Sequence, residues 1–317
     1  RRGTRMPRRV VFHEFGGVEG LRVEEAAALA AGPGQVRVQI RYAGLNPSDL
    51  KILAGTFFIV PDLPSGFGND FSGVVDQIGE DVTGLQVGDP VFGGRRLAAE
   101  ADHLLASPAE LHRVPVGLGL DVAAGLQIVA TTALAGIRAV APVEGETVLV
   151  SGAAGGVGVL AAQLARAAGA RVIGTASESN HGFLRALGII PVAYGEGVWD
   201  RIRELAPAGV SAALSTRGID EVRGLIALGV PAGRIDAVAA GAAAGELGVH
   251  TDGSAAAWPD DLDRMARALA EGRLVLPIDS VYSLDSVQAA YRRLAAGHLR
   301  GKILLRTADV RSAADLL

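Results

Sequence analysis

A glycine-rich segment, Ser151-Gly152-Ala153-Ala154-Gly155-Gly156-Val157-Gly158, constrains the possible folds of this chain more than any other feature. It follows Thr147–Ser151, a short apolar run that predicts a buried strand, and it opens Val157–Ala168, which carries one apolar stripe and predicts a helix. Glycine permits a tight exit from the strand and lets backbone N–H groups approach a pyrophosphate at the helix N-terminus. The segment predicts a dinucleotide-binding turn, with a glycine turn that holds no ligand as the alternative.

The end of the next predicted strand, Ala170–Thr175, bears on which dinucleotide is bound. An NAD site usually has an acidic residue there against the ribose 2′-hydroxyl. Here the strand runs into Gly174-Thr175-Ala176-Ser177, which leaves room for a 2′-phosphate, and Thr175, Ser177 and Asn180 are candidate contacts. Glu178 argues mildly for NAD, and Arg185 is the nearest cation. We predict NADPH as the cofactor.

The rest of the pattern divides the chain into two regions. Before residue 115, short apolar runs such as Val36–Tyr42 are separated by glycine and proline turns, which is typical of a small barrel or sandwich. The alanine-rich run Leu118–Val140 predicts a helix. From Glu146 onward, predicted strands alternate with predicted helices, and this order indicates a parallel sheet covered on both faces.

Composition excludes several classes of function. The chain has 317 residues, a net charge of −4, two lysines and no cysteine. It therefore has no disulfide, thiolate zinc site or cysteine nucleophile. The balanced charge argues against nucleic-acid binding, and no apolar run is long enough to predict a membrane span. No secretory signal is evident in the sequence, and we expect a cytoplasmic protein.

A set of ordered motifs resembles one family. The motifs are Asn46-Pro47-Ser48-Asp49-Leu50-Lys51, Gly68-Asn69-Asp70-Phe71-Ser72-Gly73-Val74-Val75, Val87-Gly88-Asp89-Pro90-Val91-Phe92-Gly93, Ala130-Thr131-Thr132-Ala133, the glycine turn, and Arg300-Gly301-Lys302-Ile303-Leu304-Leu305. In this order they resemble the zinc-independent quinone oxidoreductase branch of the medium-chain dehydrogenase/reductase superfamily. The resemblance runs from about Arg8 to Arg306.

The resemblance implies an α/β protein of two domains. One is a GroES-like β-barrel catalytic domain, which we place at residues 6–124 and complete with residues 267–317. The other is a Rossmann-type domain at residues 125–266, with a doubly wound parallel sheet that binds NADP. Family members commonly pair through this sheet, so we expect a homodimer, with Arg234–Ala239 as the candidate edge. Zinc-dependent relatives use cysteine ligands that this chain lacks, so we expect no metal.

The resemblance also assigns candidate site residues. Asn46, Lys51 and Tyr42 are the candidate catalytic residues, with a turn, a solvated cation and a buried strand tyrosine as their respective alternatives. Asn46, Thr132, Tyr194, Val238, Ala239 and Lys302 are candidate cofactor contacts in addition to those named above. An exposed charge is the alternative for Lys302, and a hydrogen bond within its own helix is the alternative for Thr132.

Without zinc, hydride transfer to a conjugated carbonyl is the reaction that fits best. We predict an NADPH-dependent reductase of a small hydrophobic quinone, enone or enoyl substrate. Phe57-Phe58 stands where many relatives carry a tyrosine, which indicates an apolar lid rather than a phenolic acid. The alternatives are an enoyl reductase or tailoring enzyme of polyketide biosynthesis and a catalytically silent NADPH-binding protein of the same fold.

Overall fold

The computed structural model describes residues 6–307, so residues 308–317 of the predicted catalytic domain lie outside the described residues. The strands are β1 (Arg8–Phe12), β2 (Arg22–Glu25), β3 (Val36–Gly44), β4 (Ser65–Gly66), β5 (Asp70–Ile78), β6 (Pro90–Gly94), β7 (His103–Ala106), β8 (Leu111–Arg113), β9 (Thr147–Val150), β10 (Arg171–Thr175), β11 (Ile190–Val192), β12 (Ala212–Ser215), β13 (Ile235–Ala237), β14 (Ile278–Ser283) and β15 (Lys302–Arg306). The α-helices are α1 (Pro47–Leu53), α2 (Leu120–Ala124), α3 (Gln127–Val140), α4 (Gly156–Ala167), α5 (His181–Ala186), α6 (Val198–Leu205), α7 (Ile219–Leu228), α8 (Asp261–Ala270) and α9 (Val287–Ala296). These elements form two compact units.

The first unit contains residues 6–128, 278–297 and 302–307 of the described chain. Its larger sheet has the order β14-β15-β3-β5-β6-β8, with β7 also paired to β3, and its smaller sheet has the order β2-β1-β4. The predicted alternation in Val36–Tyr42 is present, because Val36, Val38 and Ile40 are buried while the residues between them are partly exposed. These side chains pack with Phe71 in the barrel core. The GroES-like architecture predicted for this region is confirmed.

The second unit contains residues 129–277 and 298–301. Its sheet has the order β11-β10-β9-β12-β13, and all of its strand pairs are parallel. The chain winds outward from β9 in both directions, so the order reverses between β9 and β12. In such sheets, ligands bind beyond the carboxyl ends of the strands at this reversal. The predicted Rossmann-type sheet is confirmed, and the glycine turn lies at the reversal.

The structure corrects the predicted helix Leu118–Val140. It is two helices, α2 and α3, because α2 ends at Gly125. At that position an added Cβ would lie only 3.0 Å from Lys302 Cγ, so the close approach of the lysine stem accounts for the glycine. The predicted run Leu118–Val140 identified the helical character of this region but not the break.

The predicted dimer edge, Arg234–Ala239, contains the edge strand β13. Its outer side already makes backbone hydrogen bonds, from Ala237 N to His250 O at 2.8 Å and from His250 N to Ile235 O at 2.9 Å. These bonds occupy part of the edge that a pairing strand from a second copy would use.

Candidate functional site

The glycine turn is tied to the strands on both sides of it. Ser151 N donates to Leu214 O at 2.9 Å, and Thr216 N donates to Ser151 Oγ at 2.7 Å, which joins the turn to the end of β12. On the other side, Gly152 N donates to Thr175 Oγ1 at 3.1 Å. The turn is therefore held by the ends of β10 and β12 as well as by its own hydrogen bond from Gly155 N to Gly152 O at 2.9 Å.

Glycine is required in this turn for two different reasons. Gly152 has φ +59°, a left-handed conformation that side chains disfavour. Gly158 has no such conformation, but an added Cβ there would lie 2.1 Å from Gly152 O. Gly155 caps helix α4 without a side chain, so the helix N-terminus presents backbone to its surroundings. A pyrophosphate fits this surface, because it needs close N–H groups and favourable helix polarity.

The predicted 2′-phosphate contacts have different environments. Thr175 is 3% exposed, and its hydroxyl supports the turn through Gly152. Ser177 is partly exposed, and its Oγ lies 3.2 Å from Ser179 Oγ. Asn180 is 3% exposed, and its amide nitrogen lies 3.3 Å from Ser177 Oγ. The structure brings these residues together at the end of β10, and Ser177 is the most accessible of the three.

Arg300 is a cation that the sequence analysis missed here. Its Nε donates to Asn180 Oδ1 at 2.9 Å, and its Nη2 donates to Ser179 O at 3.1 Å. Its guanidinium carbon also lies 5.1 Å from the centre of the Phe183 ring. Arg300 directly precedes Gly301-Lys302 and is part of a family motif. Nothing in the sequence indicated that it contacts Asn180, which is 120 positions earlier.

Tyr194 packs against the side chains of Arg217 and His298 in the second unit. Its ring lies 5.0 Å from the Arg217 guanidinium and 5.8 Å from the His298 ring. Tyr194, Trp199 and Arg217 line a pocket of about 430 Å³. Its remaining lining residues are Leu149, Thr175, Gly195, Val198, Ile202, Asp220 and Glu221. The volume is within the range of small-ligand sites, and the lining combines aromatic with charged groups.

The other predicted cofactor contacts in the second unit differ in their exposure. Thr132 is 6% exposed in α3. Val238 and Ala239 follow β13 and are partly exposed, and Val238 N donates to Ser215 O at 3.0 Å. This bond brings the residues after β13 beside the carboxyl end of β12, the strand that also holds the glycine turn.

In the first unit, Asn46 and Lys302 are in direct contact. Lys302 Nζ donates to Asn46 Oδ1 and to Leu45 O, both at 2.6 Å. The same nitrogen lies 3.7 Å from Asp70 Oδ2. Burial lowers the pKa of Lys302, whereas Asp70 and Asp49 favour its charged form. Lys302 is 3% exposed, so the alternative of an exposed charge is wrong.

A buried acidic cluster supports the same loop. Asp49 Oδ2 accepts a hydrogen bond from Asn46 N at 2.8 Å and lies 3.0 Å from the Tyr291 hydroxyl. That hydroxyl also lies 2.5 Å from Glu100 Oε1. Burial raises the pKa of Asp49 to about 7 and raises the pKa of Glu100 well above its ordinary value. The sequence analysis missed Glu100 and Tyr291.

The two remaining candidate catalytic residues are more accessible. Tyr42 is partly exposed on β3, where it is in register with Ser72 and Arg306. Lys51 is exposed in the last turn of α1, whereas Asp49 and Ile52 of the same helix are buried. Lys51 therefore lies on a different face of α1 from the buried cluster.

Residues 6–307 contain neither a cluster of metal-binding side chains nor a membrane-spanning helix. Within that range, no three histidine, aspartate or glutamate side chains lie close enough together to bind a metal ion. Within the same range, no helix has the length and apolar character needed to cross a bilayer.

A GroES-like unit together with a Rossmann-type unit defines the class of medium-chain dehydrogenases and reductases. Residues 32–144 match the alcohol dehydrogenase GroES-like domain, and residues 187–305 match a family described as zinc-binding dehydrogenase. The chain belongs to the medium-chain dehydrogenase/reductase superfamily and is quinone oxidoreductase-like.

The relatives include a quinone oxidoreductase and a much longer synthase. The chain is 34% identical to human quinone oxidoreductase over 177 residues, which are 55% of this chain and 54% of that protein. It is 35% identical to erythronolide synthase EryA2 of Saccharopolyspora erythraea over 298 residues, which are 86% of this chain and 8% of that protein. The structure of a quinone oxidoreductase from Coxiella burnetii is 28% identical with a TM-score of 0.84, covering 95% of this chain and 99% of that one. The chain thus spans about half the length of human quinone oxidoreductase and a small part of erythronolide synthase EryA2.

Proposed function

We propose that this chain is an oxidoreductase that uses NADPH to reduce a small hydrophobic conjugated carbonyl compound (a quinone, enone or enoyl substrate) without a metal. The observation that carries the proposal is the glycine turn between β9 and α4, held at the point where the strand order reverses. Its relatives include quinone oxidoreductases, which supports the same reaction class. Residues 6–124 and 267–317 form the proposed catalytic domain, and residues 125–266 form the proposed cofactor domain.

The preference for NADPH over NADH is supported by charge at the end of β10. Arg300 is held beside Ser177 and Asn180, and Arg217 lies against Tyr194. A 2′-phosphate adds negative charge at the ribose, so these cations favour NADPH. Glu178 is exposed at the same strand end and opposes this preference, as an acidic residue does in NAD sites.

The residues of the first unit have distinct proposed roles. When bound, the nicotinamide supplies hydride to the β-carbon of the substrate, and negative charge then develops on the carbonyl oxygen. Asn46 provides an amide donor, and Lys51 and Tyr42 are the partly or fully exposed groups able to donate a proton. Absence of cysteine removes the thiolate ligands of catalytic zinc, which supports a metal-free reaction.

A hydrophobic substrate is supported by the loop after α1. The Phe57 and Phe58 rings lie 4.2 Å apart, and Phe58 is 81% exposed. Two adjacent accessible rings favour an apolar ligand over a charged one. A homodimer and a cytoplasmic location complete the proposal. A sheet-extending dimer would have to form beyond His250, because that residue already pairs with β13.

A second candidate function is enoyl reduction in polyketide biosynthesis. It is favoured by the similarity to erythronolide synthase EryA2, which covers 86% of this chain. The two candidates differ in how the acceptor is presented: as a free small molecule for the first and as a thioester-linked enoyl group for the second.

The test is consumption of NADPH with benzoquinone, phenanthrenequinone, a 2-alkenal and a crotonyl thioester, each repeated with NADH and with EDTA. The proposal predicts turnover that prefers NADPH and is unaffected by EDTA. Preference for the crotonyl thioester would favour the second candidate. Binding of NADPH without turnover of any acceptor would indicate the silent NADPH-binding protein, and no binding at all would overturn the cofactor assignment.

A further inference from the structure

Lys302 is one of only two lysines in the chain, and it is buried against backbone and amide oxygen. Leu45 O and Asn46 Oδ1 each lie 2.6 Å from its Nζ, and Asp70 Oδ2 lies 3.7 Å away. The two closer oxygens accept hydrogen bonds from Nζ, and the Asp70 carboxylate adds a negative charge nearby, so all three favour the ammonium form. The lysine thus has a fixed set of acceptors rather than a mobile, solvated charge.

This arrangement determines which end of the Asn46 amide faces Lys302. An ammonium group has no acceptor, so only the amide oxygen can bind it. The Nδ2 group must then point away from Lys302, and its nearest described partner is Gly44 O at the long distance of 3.4 Å. The Lys302 contact therefore leaves Asn46 with a weakly engaged N–H donor.

We propose that Lys302 is a positioning residue that locks the Asn46 amide with its nitrogen toward the ligand, so that Asn46 recognises a carbonyl oxygen. The inference rests on the proposed function, because it assigns Asn46 a ligand. That carbonyl belongs either to the nicotinamide carboxamide or to the substrate. Asn46 as a whole is only 1% exposed, so water competes little for its amide, which strengthens a bond to such an acceptor.

Two further contacts hold the pair in place. Asp49 accepts the backbone N–H of Asn46 at 2.8 Å, which fixes the main chain while Lys302 fixes the side chain. The lysine stem passes over Gly125, where an added Cβ would lie 3.0 Å from Lys302 Cγ and 3.3 Å from Lys302 Cβ. The stem thus has a path that a larger residue at position 125 would obstruct.

The first test is Asn46→Asp. Aspartate has nearly the same shape and pairs with Lys302 through charge, but it presents an acceptor where the amide nitrogen stood. We expect a protein that still folds, with a loss in kcat/KM of about tenfold or more. A variant that folds and keeps wild-type kcat and KM would overturn the inference, since a purely structural role would be preserved.

The second test observes the amide directly. Selective ¹⁵N-asparagine labelling leaves three side-chain amides, those of Asn46, Asn69 and Asn180. In the ligand-free protein, Lys302→Met is expected to shift or double the Asn46 amide pair while the Asn180 pair stays in place; Asn69 is not a reference here, because it donates to Asp70, which lies 3.7 Å from Lys302. An unchanged Asn46 pair would contradict the positioning role, and this result does not depend on whether NADPH binds.

Ligand addition then identifies the carbonyl. A shift of the Asn46 amide protons with NADP⁺ alone indicates the carboxamide, and a shift that needs phenanthrenequinone in addition indicates the substrate. No shift under either condition, in a protein that Asn69 and Asn180 show to be folded, would overturn the inference. A wild-type protein that does not bind NADP⁺ at all would instead overturn the proposed function, while the ligand-free spectra still test the Lys302–Asn46 contact.

Discussion

The hydroxyl of Tyr291 lies 3.0 Å from the carboxylate of Asp49, which is 242 positions earlier in the chain. Glu100 Oε1 lies 2.5 Å from the same hydroxyl. A phenol has one proton, so it can donate to only one of the two carboxyls. The second hydrogen bond requires a proton on a carboxyl, and burial raises the pKa of both acids. The folded protein therefore holds a proton that the unfolded chain would release.

This buried proton predicts that the cluster loses stabilising effect as pH rises. Burial raises the pKa of Asp49 to about 7, with Asp70 acting in the same direction and the Asn46 N–H and Lys302 opposing it. Between the ordinary pKa near 4 and about 7, the folded state binds more protons than the unfolded state. The free energy of unfolding should fall by roughly 1.4 kcal/mol per pH unit for each such proton. Glu100 extends the decline in the same direction.

Glu100→Gln should flatten this decline, because glutamine keeps the shape and cannot ionise. Denaturant unfolding at several pH values from 5 to about 8 measures the slope. Glu146→Gln is the matched control. The Arg234 hydrogen bond lowers the pKa of Glu146, so its contribution is present near neutral pH and is lost as pH falls. Equal slopes for wild type and Glu100→Gln would contradict the shared-proton account.

Gly158→Ala should abolish dinucleotide binding. The new Cβ would lie 2.1 Å from Gly152 O, so the first turn of α4 would have to move away from the strand exit. The NADPH-induced rise in melting temperature should disappear. Gly233→Ala is the control, since a Cβ there meets nothing within 4 Å and should leave the rise intact. A normal thermal shift for Gly158→Ala would show that the turn does not hold the dinucleotide.

The local parts of this fold were predictable because their causes lie within a few residues. The glycine turn needs only a buried strand, close backbone and a following helix, and all three are adjacent in sequence. The alternation of Val36, Val38 and Ile40 likewise records burial on one face of a strand. The close approach of Lys302 to Gly125 was not predictable, because the lysine comes from the far end of the chain.

The candidate site was predictable in part for the same reason. Asn46 and Lys302 were each identified by a motif, but their contact joins residues 256 positions apart, and neither motif indicates it. Tyr291 is one of the residues on the buried apolar face of α9 and was therefore indistinguishable from an ordinary core residue. Arg300 was not predictable at this place, because it contacts Asn180 across 120 positions of the chain.

Arg300→Ala should weaken NADPH binding more than NADH binding. Its guanidinium is held by Asn180 and Ser179 at the end of β10, where the 2′-phosphate is proposed to bind. Loss of this cation should raise KM for NADPH by about tenfold, equivalent to roughly 1.4 kcal/mol, with KM for NADH nearly unchanged. Arg185→Ala, which removes an exposed cation of α5, is the control and should alter neither KM. Equal increases in both KM values would mean that Arg300 does not recognise the 2′-phosphate.

Arg138 and Asp261 provide a test of stability in the second unit that is independent of the site. Arg138 Nη2 lies 2.8 Å and 3.0 Å from the two carboxylate oxygens of Asp261, whose side chain is 0% exposed. The guanidinium carbon also lies 3.5 Å from the centre of the Trp258 ring. Arg138→Met keeps much of the packing but leaves the Asp261 charge without its cation, and we expect a loss of about 2–4 kcal/mol in unfolding free energy. Asp261→Asn should cost less, because it removes the charge and keeps an acceptor for Trp258 N. Equal losses for the two variants in denaturant unfolding would show that the buried charge is not the cause.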